Sequence, residues 1–377
     1  AMLTIDLSDI PTPCHLIDID KVISNIAVIS RLCQKTDMTL LFAIKGFSND
    51  KVIKYFIDYF DGISASSLWE ARLGKELLSS EVHTFSAAYT AKSIEEICAY
   101  SDYMIFNSVY HFQQFKGIAQ SMGCHCGLRI NPEFSEITND AINPCHHASR
   151  FGIHAHELEI IDLGDVEGLH FHNMSEQYDG TFLRTVNRIE KDFGEYLGDV
   201  KWLNIGGGQF FSEEAYNLDK AANIINYLQN KYSIQIIAEP CETVMLNTGY
   251  FVTSVTDIVH NELATAILDS SVVCHHPDIV YLPYRSRIQN SDLPYKKKYT
   301  YRLAGATCYA GDIFGDYSFD EPLDVGTKIV FCDTAPYSMV KSNLFNGIQL
   351  PYYATILNGN MIKVEKVYDF NTFLSMT

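Results

Sequence analysis

The chain has 377 residues, of which 47% are apolar and 20% charged; it is too long for one ordinary single-core domain and has the composition of a well-packed globular protein, so two domains are expected. A formal net charge of -18 argues against a nucleic-acid partner and allows a cationic substrate to be drawn in, although acidity also serves solubility alone. No apolar run approaches the roughly 20 residues of a membrane span, and Ala1-Met2-Leu3 opens without the basic and apolar regions of a signal peptide, so a cytosolic protein is expected, with Ala1 a cloning remnant.

In chain order, Cys14-His15-Leu16-Ile17-Asp18 reads as a strand, and Asp20 is placed to cap the helix that follows. Short apolar strands then alternate with amphipathic stretches. Strands end near Lys45, Ser66, Ala87, Ser108, Pro132, Asn173, Gly208 and Pro240. Helical spacing covers Lys51 to Tyr59, Leu68 to Ser79, Ala91 to Tyr100, Phe182 to Leu197 and Leu218 to Tyr232. Such alternation predicts a parallel (β/α)8 barrel of the TIM type, with an open doubly wound sheet as the alternative. After Pro240 the texture changes to alternating β-branched and aromatic runs such as Tyr250 to Val255 and Lys328 to Phe331, which predict a C-terminal β-domain that also takes in the N-terminal strand. The expected boundaries are residues 1–19, 20–240 and 241–377.

Four features suggest one chemistry. Lys45 closes the apolar run Thr39 to Ile44, where poor solvation would lower its pKa and suit it to form a Schiff base, whereas lysines also end strands simply because strands emerge into water. Gly206-Gly207-Gly208 ends the seventh barrel strand, where bare backbone N–H groups can converge on a phosphate; a tight turn is the plainer reading. Glu239 ends the eighth, where a buried carboxylate needs a partner, either a protonated pyridine nitrogen or a barrel arginine such as Arg129. His172 follows strand six and could lie against a ring face or be a satisfied core residue. Together these features suggest pyridoxal 5'-phosphate (PLP).

The ten cysteines are spread along a long chain, so reduced thiols are expected. Cys124-His125-Cys126 and Cys145-His146-His147 look superficially like metal ligands, yet neither has the spacing of a structural zinc site, and no metal is expected.

Lys45, Phe171-His172, Gly206-Gly207-Gly208, Glu239-Pro240, Thr307-Cys308 followed by Asp312, and Tyr337 occur in the order of the alanine racemase-like, fold type III PLP-dependent decarboxylases, which the chain resembles over nearly its whole length. His172 to Glu176, Phe193 to Leu197, Glu239 to Glu242, Cys308 to Asp312, Tyr337 to Lys341 and Phe345-Asn346-Gly347 look most like the branch acting on carboxynorspermidine. Glu242 stands where ornithine, arginine and diaminopimelate decarboxylases usually place an arginine. The chain departs from the pattern at Cys241, where glycine is usual, and at Ser175, where cysteine is common.

The resemblance implies that Lys45 holds PLP, that Glu239 keeps the pyridinium protonated, that His172, Gly206, Gly207, Gly208 and Tyr337 help to bind the cofactor, and that Cys308 reprotonates the α-carbon after CO2 leaves. It implies a carboxylated polyamine substrate, carboxynorspermidine or carboxyspermidine, with Glu242, His275 and Asp312 as an acidic rim for the remote amines; His276 and Asp278 are alternatives for His275. It also implies a homodimer whose Cys308 loop reaches the partner's active site. A decarboxylase of the diaminopimelate or ornithine type, or a non-catalytic regulator of the same fold, are the rival readings; Glu242 speaks against the first, and the retained Lys45, Cys308 and Asp312 against the second.

Overall fold

The computed structural model describes residues 3–376 and divides the chain into two units: Ser24–Val244, and the N-terminal residues through Ile23 together with Met245 onward. Strand β1 (Cys14–Asp18) belongs to the second of these. The first is a closed barrel of eight parallel strands, β2 (Thr39–Ala43), β3 (Gly62–Ala65), β4 (Glu81–Phe85), β5 (Tyr103–Phe106), β6 (His125–Arg129), β7 (Gly168–His170), β8 (Trp202–Asn204) and β9 (Gln235–Ala238), in that order around the ring. The open doubly wound alternative is excluded by the direct pairing of β2 with β9.

Strands buried on both faces read as near-continuous apolar runs, and Leu40, Leu41, Phe42, Ala43 and Ile44 are all buried. Inside the barrel Leu41, Ile105, Trp202 and Ile237 pack together. Trp202 stands opposite Gly168, which stands opposite Gly127. Both glycines make room for the indole: a Cβ on Gly168 would lie 1.9 Å from Trp202 Cδ2, and one on Gly127 2.3 Å from Cη2.

Outside the strands, the helix Asp179–Leu197 buries Phe182, Val186, Ile189, Phe193 and Leu197 at helical spacing. The helix Leu218–Tyr232 starts where the Asn217 side chain accepts the Lys220 N–H at 3.0 Å. Three expected helices are shorter or irregular. Residues 51–59 split into a helix Asp50–Ile53 and a 3-10 turn Ile57–Tyr59, because Phe56 and Tyr59 bond three residues back rather than four. The stretch from Leu68 runs as Leu68–Arg72 and a π-helical turn Leu73–Leu77, and the third is Ile94–Ala99.

The first helix, Ile19–Thr36, corrects the assigned cap. Its Lys21 N–H is accepted by Asp18 Oδ1 at 3.1 Å, since Ile19 is already helical; Asp20 lies within the first turn and accepts the Gly359 N–H at 2.6 Å.

The other unit is a nine-stranded mixed sheet. With β10 (Gly249–Val259), β11 (Thr265–Leu268), β12 (Ser291–Asp292), β13 (Tyr299–Ala304), β14 (Ile313–Phe319), β15 (Lys328–Cys332), β16 (Tyr352–Leu357) and β17 (Met361–Lys366), the order is β12-β14-β13-β11-β10-β1-β16-β17, and β15 pairs with β10. The expected recruitment of the N-terminal strand is direct: β1 pairs antiparallel with β10 and parallel with β16. Phe251 buries itself on one face with Phe331 and Tyr317, while Tyr250 and Val252 pack on the other with Leu16 and Ala354. Among the described residues no helix is long and apolar enough to cross a membrane.

Two glycines test this packing in opposite directions. Gly168→Ala forces a methyl into the Trp202 ring and is expected to destabilise the barrel by about 1–3 kcal/mol or more. Gly117→Ala, on the exposed face of Val109–Ser121 with open space at its Cβ, is expected to stabilise by up to about 1 kcal/mol. Urea midpoints of the two variants that moved the same way would contradict this packing.

Candidate active site

The barrel strands end at one rim, where the following residues can converge on a ligand. Lys45 stands there, two residues beyond β2, and corrects the expectation of poor solvation: its side chain is exposed, although Ile44, Gly46 and Phe47 beside it are buried. Its charge is felt by its neighbours. His172 is held well below its usual pKa by burial and, next, by Lys45. Burial raises the Glu70 carboxyl, opposed by its bonds from Ser66 and by Lys45. Glu70 was not singled out in the sequence; its available signal is Ser67 three residues before it, the start of a capped helix in which Ser67 Oγ accepts the Glu70 N–H at 3.3 Å and Glu70 Oε2 the Ser66 N–H at 2.6 Å.

The glycine loop after β8 is shaped by its neighbours' carbonyls. A Cβ would lie 2.5 Å from Phe171 O at Gly206, 2.5 Å from Glu239 O at Gly207 and 1.9 Å from Met174 O at Gly208, and Gly206 and Gly208 hold φ of 66° and 84°. Two of the three N–H groups are engaged internally: Gly206 donates to Asn204 Oδ1 at 2.9 Å and Gly207 to His172 Nδ1 at 3.3 Å. Only the Gly208 N–H is left without an acceptor among the described residues, so convergence of all three on one anion is corrected to a narrower donor set. The Gly207 bond also assigns the His172 proton to Nε2.

Glu239 follows β9. Its Oε1 accepts from Asn204 Nδ2 at 2.6 Å, and Oε2 faces His170 Nε2 at 3.8 Å, beyond hydrogen-bond range. The rival partner is elsewhere: the buried Arg129 donates to His172 O at 3.3 Å, and its guanidinium lies 4.6 Å from the Phe85 ring and 4.5 Å from the Phe151 ring. Burial pushes Arg129 down to about 10. His170, on β7, is pushed down to about 4 by burial although Glu239 pulls the other way. A half-buried carboxylate with one oxygen fixed and the other without a hydrogen-bond donor among the described residues suits a protonated ring nitrogen. With Lys45 and the Gly208 N–H at the same rim, the residues fit PLP. Cys241 is buried beside this group, and burial followed by the Glu242 charge raises its thiol pKa, so it fills space as an un-ionised thiol.

Within the sheet unit, Cys308 is exposed, its N–H donated to Asn346 Oδ1 at 2.6 Å. Tyr337 holds a left-handed φ of 61°, a strained conformation for an aromatic residue, with the Lys341 ammonium 4.9 Å from its ring centroid. The acidic-rim reading of Asp312 and His275 is corrected, because both are buried. Asp312 Oδ1 accepts the Val272 N–H at 2.8 Å, and Oδ2 accepts Thr307 N–H at 3.2 Å and Thr307 Oγ1 at 2.6 Å, so the carboxylate braces the loop that carries Cys308. His275 Nδ1 accepts the Ser271 N–H at 3.2 Å. His276 is fixed by Ser286 at 3.2 Å and Ser338 at 3.1 Å, and Asp278 by an ion pair with Lys341. The metal-like clusters have local partners: the Cys124 thiol donates to Ser101 O at 3.2 Å, His125 pairs with Glu167 at 2.9 Å and His146 with Asp140 at 3.3 Å.

Burial pushes His170, His275 and His276 each down to about 4, against roughly 6.5 when unfolded. Their folded forms stay neutral while the unfolded chain takes up protons, so stability is fully present above about pH 6.5 and is lost as pH falls toward 4, by up to about 1.4 kcal/mol per pH unit for each histidine. Urea midpoints should already fall between pH 6.5 and 5; a flat profile there would contradict neutral burial of these rings.

Residues 26–335 match the family described as pyridoxal-dependent decarboxylase, C-terminal sheet domain. The chain is 35% identical over 376 residues to carboxynorspermidine/carboxyspermidine decarboxylase of Campylobacter jejuni, covering 97% of this chain and 98% of that protein. It is 32% identical over 369 residues to carboxyaminopropylagmatine decarboxylase of Synechocystis, covering 97% and 95%. The crystal structure of carboxynorspermidine decarboxylase complexed with norspermidine, from Campylobacter jejuni, matches with a TM-score of 0.92 at 34% identity, over 98% of this chain and 100% of that one. The chain therefore belongs to the pyridoxal-dependent decarboxylase family.

Proposed function

We propose that the chain is a PLP-dependent carboxy-lyase that releases CO2 from carboxynorspermidine or carboxyspermidine in polyamine biosynthesis. The observation that carries this reading is the end-to-end similarity to the Campylobacter jejuni enzyme, at 35% identity over 97% of the chain. PLP, when bound, supplies an electron sink for the carbanion left as CO2 departs. Lys45 would tether it at the rim, Gly208 would donate to its phosphate, and His172, neutral with its proton on Nε2, would pack against it without adding charge. Glu239 would hold the proton on the ring nitrogen through Oε2, which has no hydrogen-bond donor among the described residues.

Glu242 opens the short helix after β9 and is the acidic group we assign to a remote substrate amine. A formal charge of -18 favours encounter with a polycation. Cys308, exposed on its braced loop, would donate a proton to the α-carbon of the product, reaching the partner's site in a cytosolic homodimer. A second reading of the substrate rests on the Synechocystis relative: carboxyaminopropylagmatine carries the same carboxylated reacting end with a different remote cation.

CO2 release should be measured from carboxynorspermidine, carboxyspermidine, carboxyaminopropylagmatine, diaminopimelate and ornithine. One of the first three should exceed the last two by at least about a hundredfold in kcat/KM, while carboxynorspermidine and carboxyspermidine, differing by one methylene, should separate by only ~1 to 3 kcal/mol. Preference for diaminopimelate or ornithine would overturn the assignment. Lys45→Ala should remove the visible cofactor band and turnover without unfolding the protein. Glu239→Gln should retain the cofactor and slow turnover by about 10²–10³. Mixing inactive Lys45→Ala and Cys308→Ala subunits should restore roughly a quarter of wild-type activity if the sites are shared, and none if Cys308 serves its own subunit.

A further inference from the structure

The glycine loop and the Glu239 carboxylate are joined by a closed circuit of three hydrogen bonds. The Gly206 N–H donates to Asn204 Oδ1 at 2.9 Å, Asn204 Nδ2 donates to Glu239 Oε1 at 2.6 Å, and the Glu239 N–H returns to Gly206 O at 2.8 Å. The orientation of the Asn204 amide is fixed by chemistry: a peptide N–H can only donate, so it must meet the carbonyl oxygen, and the amino group is then the end that faces the carboxylate. Asn204 is fully buried at the end of β8, opposite His170 on β7 and Ile237 on β9. Ile237 points into the barrel core, and Glu239, two residues on, points the same way, which brings its carboxylate over Asn204.

We propose that Asn204 is a positioning residue that couples the phosphate end of the cofactor site to its ring-nitrogen end. The inference rests on the PLP reading above. An anion held by the Gly208 N–H restrains the glycine loop and with it the Gly206 peptide two residues away, and through the Asn204 amide that peptide fixes Glu239 Oε1. The carboxylate then has one oxygen held and the other turned to the ligand. Binding at either end therefore prepares the other, and the effect is reciprocal. The charged and titratable groups facing Glu239 are His170 at 3.8 Å and, through space, Arg129. Burial holds the ring neutral and leaves the guanidinium charged, so between pH 6 and 9 neither changes state.

The coupling is measured by dividing the cofactor into two probes, pyridoxal and inorganic phosphate, on protein stripped of PLP. In wild type, saturating phosphate should tighten pyridoxal binding by roughly 5- to 100-fold. Asn204→Ala removes both bonds and should bring that factor close to one. Asn204→Asp has the same shape and keeps the acceptor for Gly206, so it should fold, but it sets two carboxylates within hydrogen-bond distance, and the pair binds a proton. While that proton is present the substituted side chain can still donate to Glu239; once it leaves, the link is broken. Coupling in Asn204→Asp should thus fall as pH is raised from 6 to 9, measured against wild type at each pH so that phosphate's own titration cancels. A merely structural role for Asn204 would not make the coupling pH-dependent. The inference is overturned if Asn204→Ala keeps the wild-type factor, if Asn204→Asp matches wild type at every pH, or if wild type binds both probes independently. If wild type binds neither pyridoxal nor PLP, the cofactor reading itself fails, and this one with it.

Discussion

The open rim of the barrel depends on one close approach, that of the Gly206-Gly207-Gly208 backbone to the carbonyls that leave β7 and β9. No side chain fits between these segments: a Cβ at any of the three glycines would lie at 2.5 Å or less from a carbonyl oxygen. That contact lets Gly206 exchange hydrogen bonds with Asn204 and Glu239 and lets Gly207 reach His172. One steric requirement thereby sets the proton position on one imidazole, the orientation of one amide and the presentation of one carboxylate. The preorganisation that such a site needs for electrostatic stabilisation is built from main chain, which moves less than side chains do.

The same economy of polar groups holds in the sheet unit. Asp312 was read as a group for binding an amine, yet its two oxygens accept three bonds from Val272 and Thr307. Removing a buried carboxylate from water is tolerated only when such bonds replace the lost hydration. The carboxylate therefore acts on the shape of the 305–312 loop, and Cys308, four residues earlier, remains exposed with its N–H held by Asn346. Tyr337 adds a strained backbone to this unit, a feature that survives only where surrounding contacts impose it.

Much of this was legible in the sequence, and the failures have physical causes. The eight barrel strands could be read because short strand-like segments alternate regularly with amphipathic stretches, and Leu218–Tyr232 could be read because its apolar residues keep helical spacing throughout. The residues that later proved to be a 3-10 or π turn were not legible as such, because helical periodicity does not distinguish bonds of different reach. Lys45 was misread as poorly solvated because buried neighbours do not show which way a single side chain between them faces. Asn204 was not singled out in the sequence, since its role exists only through Glu239, 35 residues away. Asp312 and His275 show the same limit: an acidic or imidazole group on a loop does not reveal whether its polar atoms are already engaged.

The proposed chemistry stands on Lys45 as the point of attachment at a rim that also holds Glu239 and the glycine loop. Reducing the PLP-loaded wild-type protein with borohydride, digesting it and locating the pyridoxyl group by mass spectrometry tests that attachment directly. A single labelled peptide, modified at Lys45, is the expected result. A label on any other lysine, or no label in protein that carries the cofactor's absorbance, would contradict it.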